Sequence, residues 1–229
     1  MIKVENINVF NFEGAIRGLR NPMNSWDKSD SVNCHEYSVD CDLCEHNYSK
    51  CAKYCIGEND LDLMKRLFKA GTEHRKYLRQ IFVSMDITAP LYWISELDTY
   101  KVGTVRNSCS FMHKGTSKPF EITDFSTHDV LVDGASSRYD RNANAWKTIL
   151  DTLNQLREEY LDTKDNDIFQ QIRCLLPSGY NQRFTLTMDY ENVFTIIKQR
   201  TGHRLTEWNE FIEILKTLPY VKEIGGYEK

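Results

Sequence analysis

The sequence predicts a mixed α/β (α+β) fold in one domain, with a mixed sheet and long amphipathic helices. Three observations carry this. Period-two alternation marks strands at the N-terminus (2–10), at IFVSMDI (81–87) and at FTLTMD (184–189). Apolar residues at helical spacing form long stripes between and after them. Across 229 residues there is no internal repeat, and no linker long enough to require a second domain.

The elements follow in order. After the first strand, GAIRGLR (14–20) begins a helix that must end before Pro22. Residues 27–57 form a polar, cysteine-rich insert of weak periodicity. A helix follows, with Asn59 as its cap, Leu61, Met64, Leu67 and Phe68 as its apolar face, and Gly71 closing it. Pro90 suits the first turn of a helix carrying Leu91, Trp93 and Ile94. Residues 115–145, rich in Gly, Ser, Asp and Asn, read as loops with one short helix. A long helix then aligns Trp146, Ile149, Leu150, Leu153, Leu156 and Tyr160, and another starts near Asp167. The last helices carry Val193, Ile196 and Ile197, then Trp208, Phe211, Ile212 and Leu215.

Hydrophobic content of 41% and charged content of 27% are those of a water-soluble globular chain. A net charge of −4 argues against broad nucleic-acid binding. No segment is long and apolar enough to span a bilayer, and the N-terminus lacks the pattern of a secretory signal. The expected compartment is the cytoplasm, where the seven cysteines are reduced thiols or metal ligands rather than disulfides.

Four stretches carry candidate chemistry. Arg173 extends the stripe Phe169, Ile172, Leu176, and Arg200 extends Val193, Ile196, Ile197. A cation facing a core requires an anion. The spacing leaves two readings: a shared phosphate held by guanidinium forks, or a local carboxylate partner for each arginine. Cys41, Cys44, Cys51 and Cys55 follow C-x2-C-x6-C-x3-C, with Cys34, His35 and His46 nearby. They are either ligands of a structural zinc, a redox pair at Cys41 and Cys44, or free thiols of a surface insert. His74, in the basic stretch HRKYLR, is a cofactor contact or a solvated loop histidine. Residues 98–113 combine hydroxyls with Lys101, Arg106, Asn107 and Cys109, which suits a phosphate or planar heterocycle but also a polar turn.

Together these stretches resemble the flavin-dependent thymidylate synthases. The resemblance rests on GAIRGLR, NDLDLMKRLFKAG, His74, DITAP, LYWISELDTYK, and the closing run from Arg173 through Leu175-Leu176-Pro177 and the Thr-rich strand to Arg200. The cysteine insert lies outside it. The family signature is Arg-His-Arg, seven residues, then Ser. Here Thr99-Tyr100-Lys101 fills the triplet, and Cys109, between Ser108 and Ser110, fills the serine slot. Asn107 stands where the family has an acid, and Phe111 where it has an arginine.

The resemblance implies a single thymidylate synthase-like domain that assembles as a homotetramer, with FAD and deoxyuridine monophosphate (dUMP) bound at subunit interfaces. It implies transfer of a methylene group from methylenetetrahydrofolate to uracil C5, with hydride from reduced flavin and NADPH as the flavin's reductant. The flavin-side positions map to His74, Thr99, Tyr100, Lys101 and Asp189. The nucleotide-side positions map to Arg173, Arg200, Asn107, Ser108, Cys109 and Ser110. In this family the pyrimidine is activated without an enzyme cysteine, so Cys109 need not be a nucleophile. The degenerate triplet keeps two alternatives open: altered chemistry on the same nucleotide, such as hydroxymethylation, and a non-catalytic homologue that binds nucleotide or a partner without flavin.

Overall fold

A computed structural model describes residues 2–34, 54–127 and 137–227. In chain order it contains β1 (Lys3–Phe10), α1 (Phe12–Arg20), β2 (Val32–Asn33), β3 (Tyr54–Cys55), α2 (Glu58–Ala70), β4 (Phe82–Pro90) and α3 (Leu91–Leu97). Next come β5 (Thr104–Ser108), α4 (Phe111–Lys114), α5 (Ser137–Thr163), α6 (Asn166–Leu175), β6 (Asn181–Asp189), α7 (Tyr190–Arg200), α8 (Thr206–Lys216) and α9 (Val221–Gly225). Thus the mixed helix-and-sheet class read from the sequence is the class observed.

The main sheet has four strands in the order β1-β4-β6-β5, and β2 and β3 pair as a separate ribbon. In β4, Val83, Met85 and Ile87 are buried while Ser84 and Asp86 are not, as alternation demands. Polar rungs align the other face: Asp86 accepts from Asn6 (2.8 Å) and from the Thr185 hydroxyl (2.6 Å), and Thr187 donates to Ser84 (3.2 Å). The pairings 86–185 and 84–187 fix β4 and β6 as antiparallel.

The chain divides into two compact units. The smaller comprises Met1–Lys3, Thr88–Thr99 and Ser108–Phe184; the larger comprises Val4–Ile87, Tyr100–Asn107 and Thr185–Lys229. In the smaller unit the long stripe on α5 packs as its periodicity predicts. Leu153 joins Phe120, Phe125 and Ile172 in a buried cluster, with Trp146, Ile149, Leu150, Leu156 and Tyr160 against it. Each such side chain contributes roughly 1.5–3 kcal/mol on full burial. Helix α3 starts immediately after Pro90, and its first free N–H groups donate to the carbonyls of Tyr180 and Ser178 (both 3.0 Å).

In the larger unit, Val193, Ile196 and Ile197 of α7 and Trp208, Phe211, Ile212 and Leu215 of α8 are buried, as predicted. Two local expectations change. Helix α2 is not capped by Asn59; Gly57 occupies the cap position, and the Asp30 carboxylate accepts the N–H groups of Asn59 (2.9 Å) and Asp60 (3.1 Å). A cap supplied from a distant loop leaves no local signature. Helix α5 begins well before Trp146, at Ser137, within the stretch read as loop. Its first turns carry too few apolar residues to show an amphipathic period.

Candidate functional site

The smaller unit builds a cavity of about 250 Å³ where the end of β5 meets β6. The Cys109 N–H donates to the Arg183 carbonyl (2.8 Å), and the Gln182 amide donates to the Cys109 carbonyl (2.9 Å). This pins Cys109 and Ser110 to the rim. The floor is aromatic: Phe111 meets Tyr180 edge-on at 5.6 Å and lies 6.4 Å from Phe120. Cations stand on the rim at Lys114, Lys118 and Arg183, with Lys118 held by Asp124 at 2.6 Å. The loop behind is anchored to α5, because Asn154 bonds both the N–H and the carbonyl of Phe120 (2.7 and 3.0 Å). An aromatic floor under a basic, hydroxylated rim suits a planar heterocycle carrying an anion.

Arg173 does not face the core as its stripe suggested. It is exposed, and its Nη1 lies 3.5 Å from the Met112 sulfur. Ile168, Phe169 and Ile172 centre the buried face of α6, and at 100° per residue Arg173 falls about 90° from that centre. Met112 is exposed and does not line the cavity, so this contact leaves Arg173 outside its lining. Of the predicted nucleotide-side residues, Cys109 and Ser110 line the cavity and Ser108 closes β5 beside them, while Arg173 lies elsewhere in the same unit. The larger unit holds Asn107, exposed near the end of β5, and Arg200.

Arg200 is half-buried, and aromatic side chains are among its partners. Its Nε donates to the Tyr100 hydroxyl (2.9 Å), its Nη1 is 3.2 Å from His203 Nε2, and its guanidinium lies 4.6 Å from the Trp208 ring centre and 5.5 Å from that of Tyr100. Stacking of this kind helps hold the guanidinium in place. Tyr100, buried, also donates to Gln199 (3.1 Å). Thr99 is exposed, with its hydroxyl bonded back to the Glu96 carbonyl (2.7 Å), and Lys101 is exposed as well, so Tyr100 alone of the triplet is buried.

The other predicted flavin-side residues converge on the first turn of α7. Asp189 caps that helix, accepting the Asn192 N–H at 2.9 Å. The Asp189 N–H donates to the Gly103 carbonyl (3.2 Å), and the Asn192 amide to the Val102 carbonyl (2.6 Å), which places the turn after Lys101 here. Gly103 has φ +77°, and a Cβ there would strike the Asp189 carboxylate. Burial pushes the Asp189 carboxyl above the usual aspartate range, against the Asn192 hydrogen bonds and nearby Arg79 that pull it down. Beside it Arg75 pairs with Glu191 at 2.6 Å, and its neighbour His74 is exposed on the turn that closes α2.

Cys41, Cys44 and Cys51 lie outside the described residues. Cys55, in β3, is half-buried with its sulfur 3.1 Å from that of Cys34. Among the described residues, no three His, Cys, Asp or Glu side chains come together as a metal site. No described helix is long and apolar enough to cross a membrane.

No protein-family model matches the sequence, and no curated protein matches it. Solved structures do. The flavin-dependent thymidylate synthase of Helicobacter pylori, complexed with FAD and dUMP, superposes with a TM-score of 0.63 and 14% identity over 96% of each chain. A second structure of the Helicobacter pylori enzyme with FAD and dUMP gives 0.63 and 13%, over 97% of this chain and 96% of that one. A UMP/dUMP methylase from Streptomyces cacaoi, bound with 5-bromo-dUMP, gives 0.60 and 15%, over 99% and 95%. The fold is that of the flavin-dependent thymidylate synthases.

On this thymidylate synthase fold, the sequence reading missed Lys114, Lys118, Tyr180 and Arg183 of the cavity. Arg183 carried a faint signal, a cation on the outward register of an alternating strand. The pairing that sets it beside Cys109 is long-range and has no local trace.

Proposed function

We propose that this chain is a divergent enzyme of the flavin-dependent thymidylate synthase type, converting dUMP to dTMP by reductive methylation. Methylenetetrahydrofolate would give the one-carbon unit, and NADPH the reducing equivalents. The observation that carries this reading is the smaller unit's cavity, whose aromatic floor and basic rim match a pyrimidine nucleotide. The likeness of fold over nearly the whole chain to proteins solved with dUMP and FAD supports it.

In this reading Phe111, Phe120 and Tyr180 take the pyrimidine ring, and Lys114 and Arg183 orient its phosphate. Ser108, Cys109 and Ser110 offer small hydrogen-bonding groups at the rim, and Cys109 acts there by position rather than as a nucleophile. Asn107, Arg173 and Arg200 complete nucleotide sites built at the subunit interfaces of a homotetramer.

The donor set around the start of α7 fits the anionic part of FAD: His74, Arg79 and Lys101 are all exposed and all donors. These residues would hold the diphosphate, and the bound flavin supplies hydride chemistry that no side chain of the protein can. Asp189 and Gly103 shape that edge.

A second reading is favoured by the burial of Tyr100, whose hydroxyl bonds Gln199 and Arg200 and so commits the middle of the triplet to the chain itself. It keeps the nucleotide but changes the chemistry, as in hydroxymethylation. The test is an absorption spectrum of the purified protein with and without added FAD and dUMP, joined to dUMP calorimetry. Bound flavin whose spectrum shifts on adding dUMP is the expected result. Protein that binds dUMP but takes up no FAD overturns the flavin assignment and leaves the second reading; protein that binds no dUMP overturns both.

A further inference from the structure

The β2–β3 ribbon plays no part in the proposed reaction, and it brings together two thiols that are remote in the chain. Val32 pairs with Cys55 and Asn33 with Tyr54, antiparallel. Cys34 follows in the turn that ends β2, past the last paired rung. Its sulfur lies 3.1 Å from that of Cys55, and both residues are half-buried. Among the described residues no third His, Cys, Asp or Glu side chain joins them to make a metal site. The chemistry open to two adjacent thiols alone is oxidation to a disulfide.

The base of the ribbon is locked on both sides. Ser31 donates its hydroxyl to Asp60 (2.6 Å) and accepts the Gly57 N–H (3.0 Å). The Tyr220 hydroxyl accepts the Ile56 N–H (3.0 Å) and donates to the Tyr54 carbonyl (3.4 Å). Asp60 is fully buried and paired with Arg20 at 2.7 Å. The approach of the two sulfurs is therefore set by the fold. Closing it to the S–S bond length takes a movement of about 1 Å. Cys34 stands where the chain is already turning, so that movement leaves the register of the ribbon unchanged.

We propose that Cys34 and Cys55 are a reversible dithiol–disulfide site, oxidised by exchange with a low-molecular-weight disulfide of the glutathione class. One cysteine releases its proton to solvent, and its thiolate attacks the small disulfide. That S–S bond breaks, one small thiol leaves, and a mixed disulfide forms. The second cysteine, deprotonated in turn, attacks the protein sulfur of the mixed disulfide and expels the second small thiol. Two protein thiols are thus oxidised while one small disulfide is reduced to two thiols. The sequence reading placed a redox pair at Cys41 and Cys44, which lie outside the described residues. Chain entropy favours such near neighbours, and of the five cysteines from Cys34 to Cys55 the proposed pair closes the longest loop. Its formation is a signature of the fold.

The test incubates the reduced full-length protein with oxidised glutathione, traps the remaining thiols with iodoacetamide and maps cross-links by peptide mass spectrometry without reduction. A Cys34–Cys55 cross-link, reversed by dithiothreitol, is the expected main product. The same oxidation in concentrated urea should lower the share of this pair among the cross-links at least about threefold, in favour of shorter loops. Cys34→Ser and Cys55→Ser should each lose the pair and retain glutathione on the remaining cysteine. Native protein that stays reduced overturns the proposal. So do cross-links that join Cys34 or Cys55 chiefly to Cys41, Cys44 or Cys51, and so does an equal share of the pair in urea. If either variant fails to fold, the wild-type maps decide alone.

Discussion

Arg173 and Arg200 look alike in the sequence, each ending an apolar stripe, but their surroundings give them different duties. Arg173 is exposed, its side chain against Met112, so its removal leaves no buried charge behind. Arg173→Ala should leave unfolding free energy within about 0.5 kcal/mol of wild type. It should weaken dUMP binding by roughly 1.5–3 kcal/mol, the range for a hydrogen bond to a charged group. Arg200 is built into the protein through Tyr100, His203 and Trp208. Arg200→Ala should cost about 1–3 kcal/mol of stability from the lost bond and stacking, whatever it does to ligand. Urea denaturation and calorimetry on the two variants separate these effects. Wild-type dUMP affinity in Arg173→Ala would remove Arg173 from the site.

At the scale of an element, the start of α7 combines a cap with a titration. Burial raises the Asp189 carboxyl, so the folded chain keeps that proton to higher pH than the unfolded chain, whose aspartate ionises near about 3.9. The unfolded state then binds fewer protons across that window, and stability falls as pH rises through it. Asp60 opposes this. Burial raises its carboxyl, but hydrogen bonds from Ser29, Ser31 and Arg20, with the Arg20 charge, leave it below the usual range; its contribution is present above about pH 4 and lost as pH falls. Asn caps a helix as well as Asp does and does not titrate. Asp189→Asn should thus keep α7 intact and be at least as stable as wild type at pH 7, with the falling component gone while that of Asp60 remains in both proteins. Identical pH–stability curves for the two proteins would show that this carboxyl does not titrate on unfolding. The same element shows what a sequence discloses. The α7 and α5 stripes were legible because a helix writes its own period into neighbouring residues. The Asp30 cap of α2, the rung joining Cys109 to Arg183, and the closeness of Cys34 to Cys55 were not, because each joins residues remote in the chain.

For the whole molecule, the main question is what covers β5. It stands at the edge of the four-stranded sheet, with Val105 70% exposed and Val102, just before it, 89% exposed. An edge strand that shows apolar side chains to water is a pairing liability that proteins usually blunt with charge, proline or a covering element. Among the residues around Val105, Arg106 is the one charge, and no proline interrupts the strand. A homotetramer with ligand sites at its interfaces would cover such an edge with a second copy, joining assembly to binding. Val105→Glu tests this without disturbing the fold, since the side chain already faces solvent. Sedimentation should show the variant as smaller species than the wild type, with FAD uptake and dUMP affinity falling together. An intact tetramer in Val105→Glu would release β5 from the interface. Dissociation with full binding of both ligands would instead place the sites within single chains, and the nucleotide cavity of the smaller unit would then have to serve without a partner.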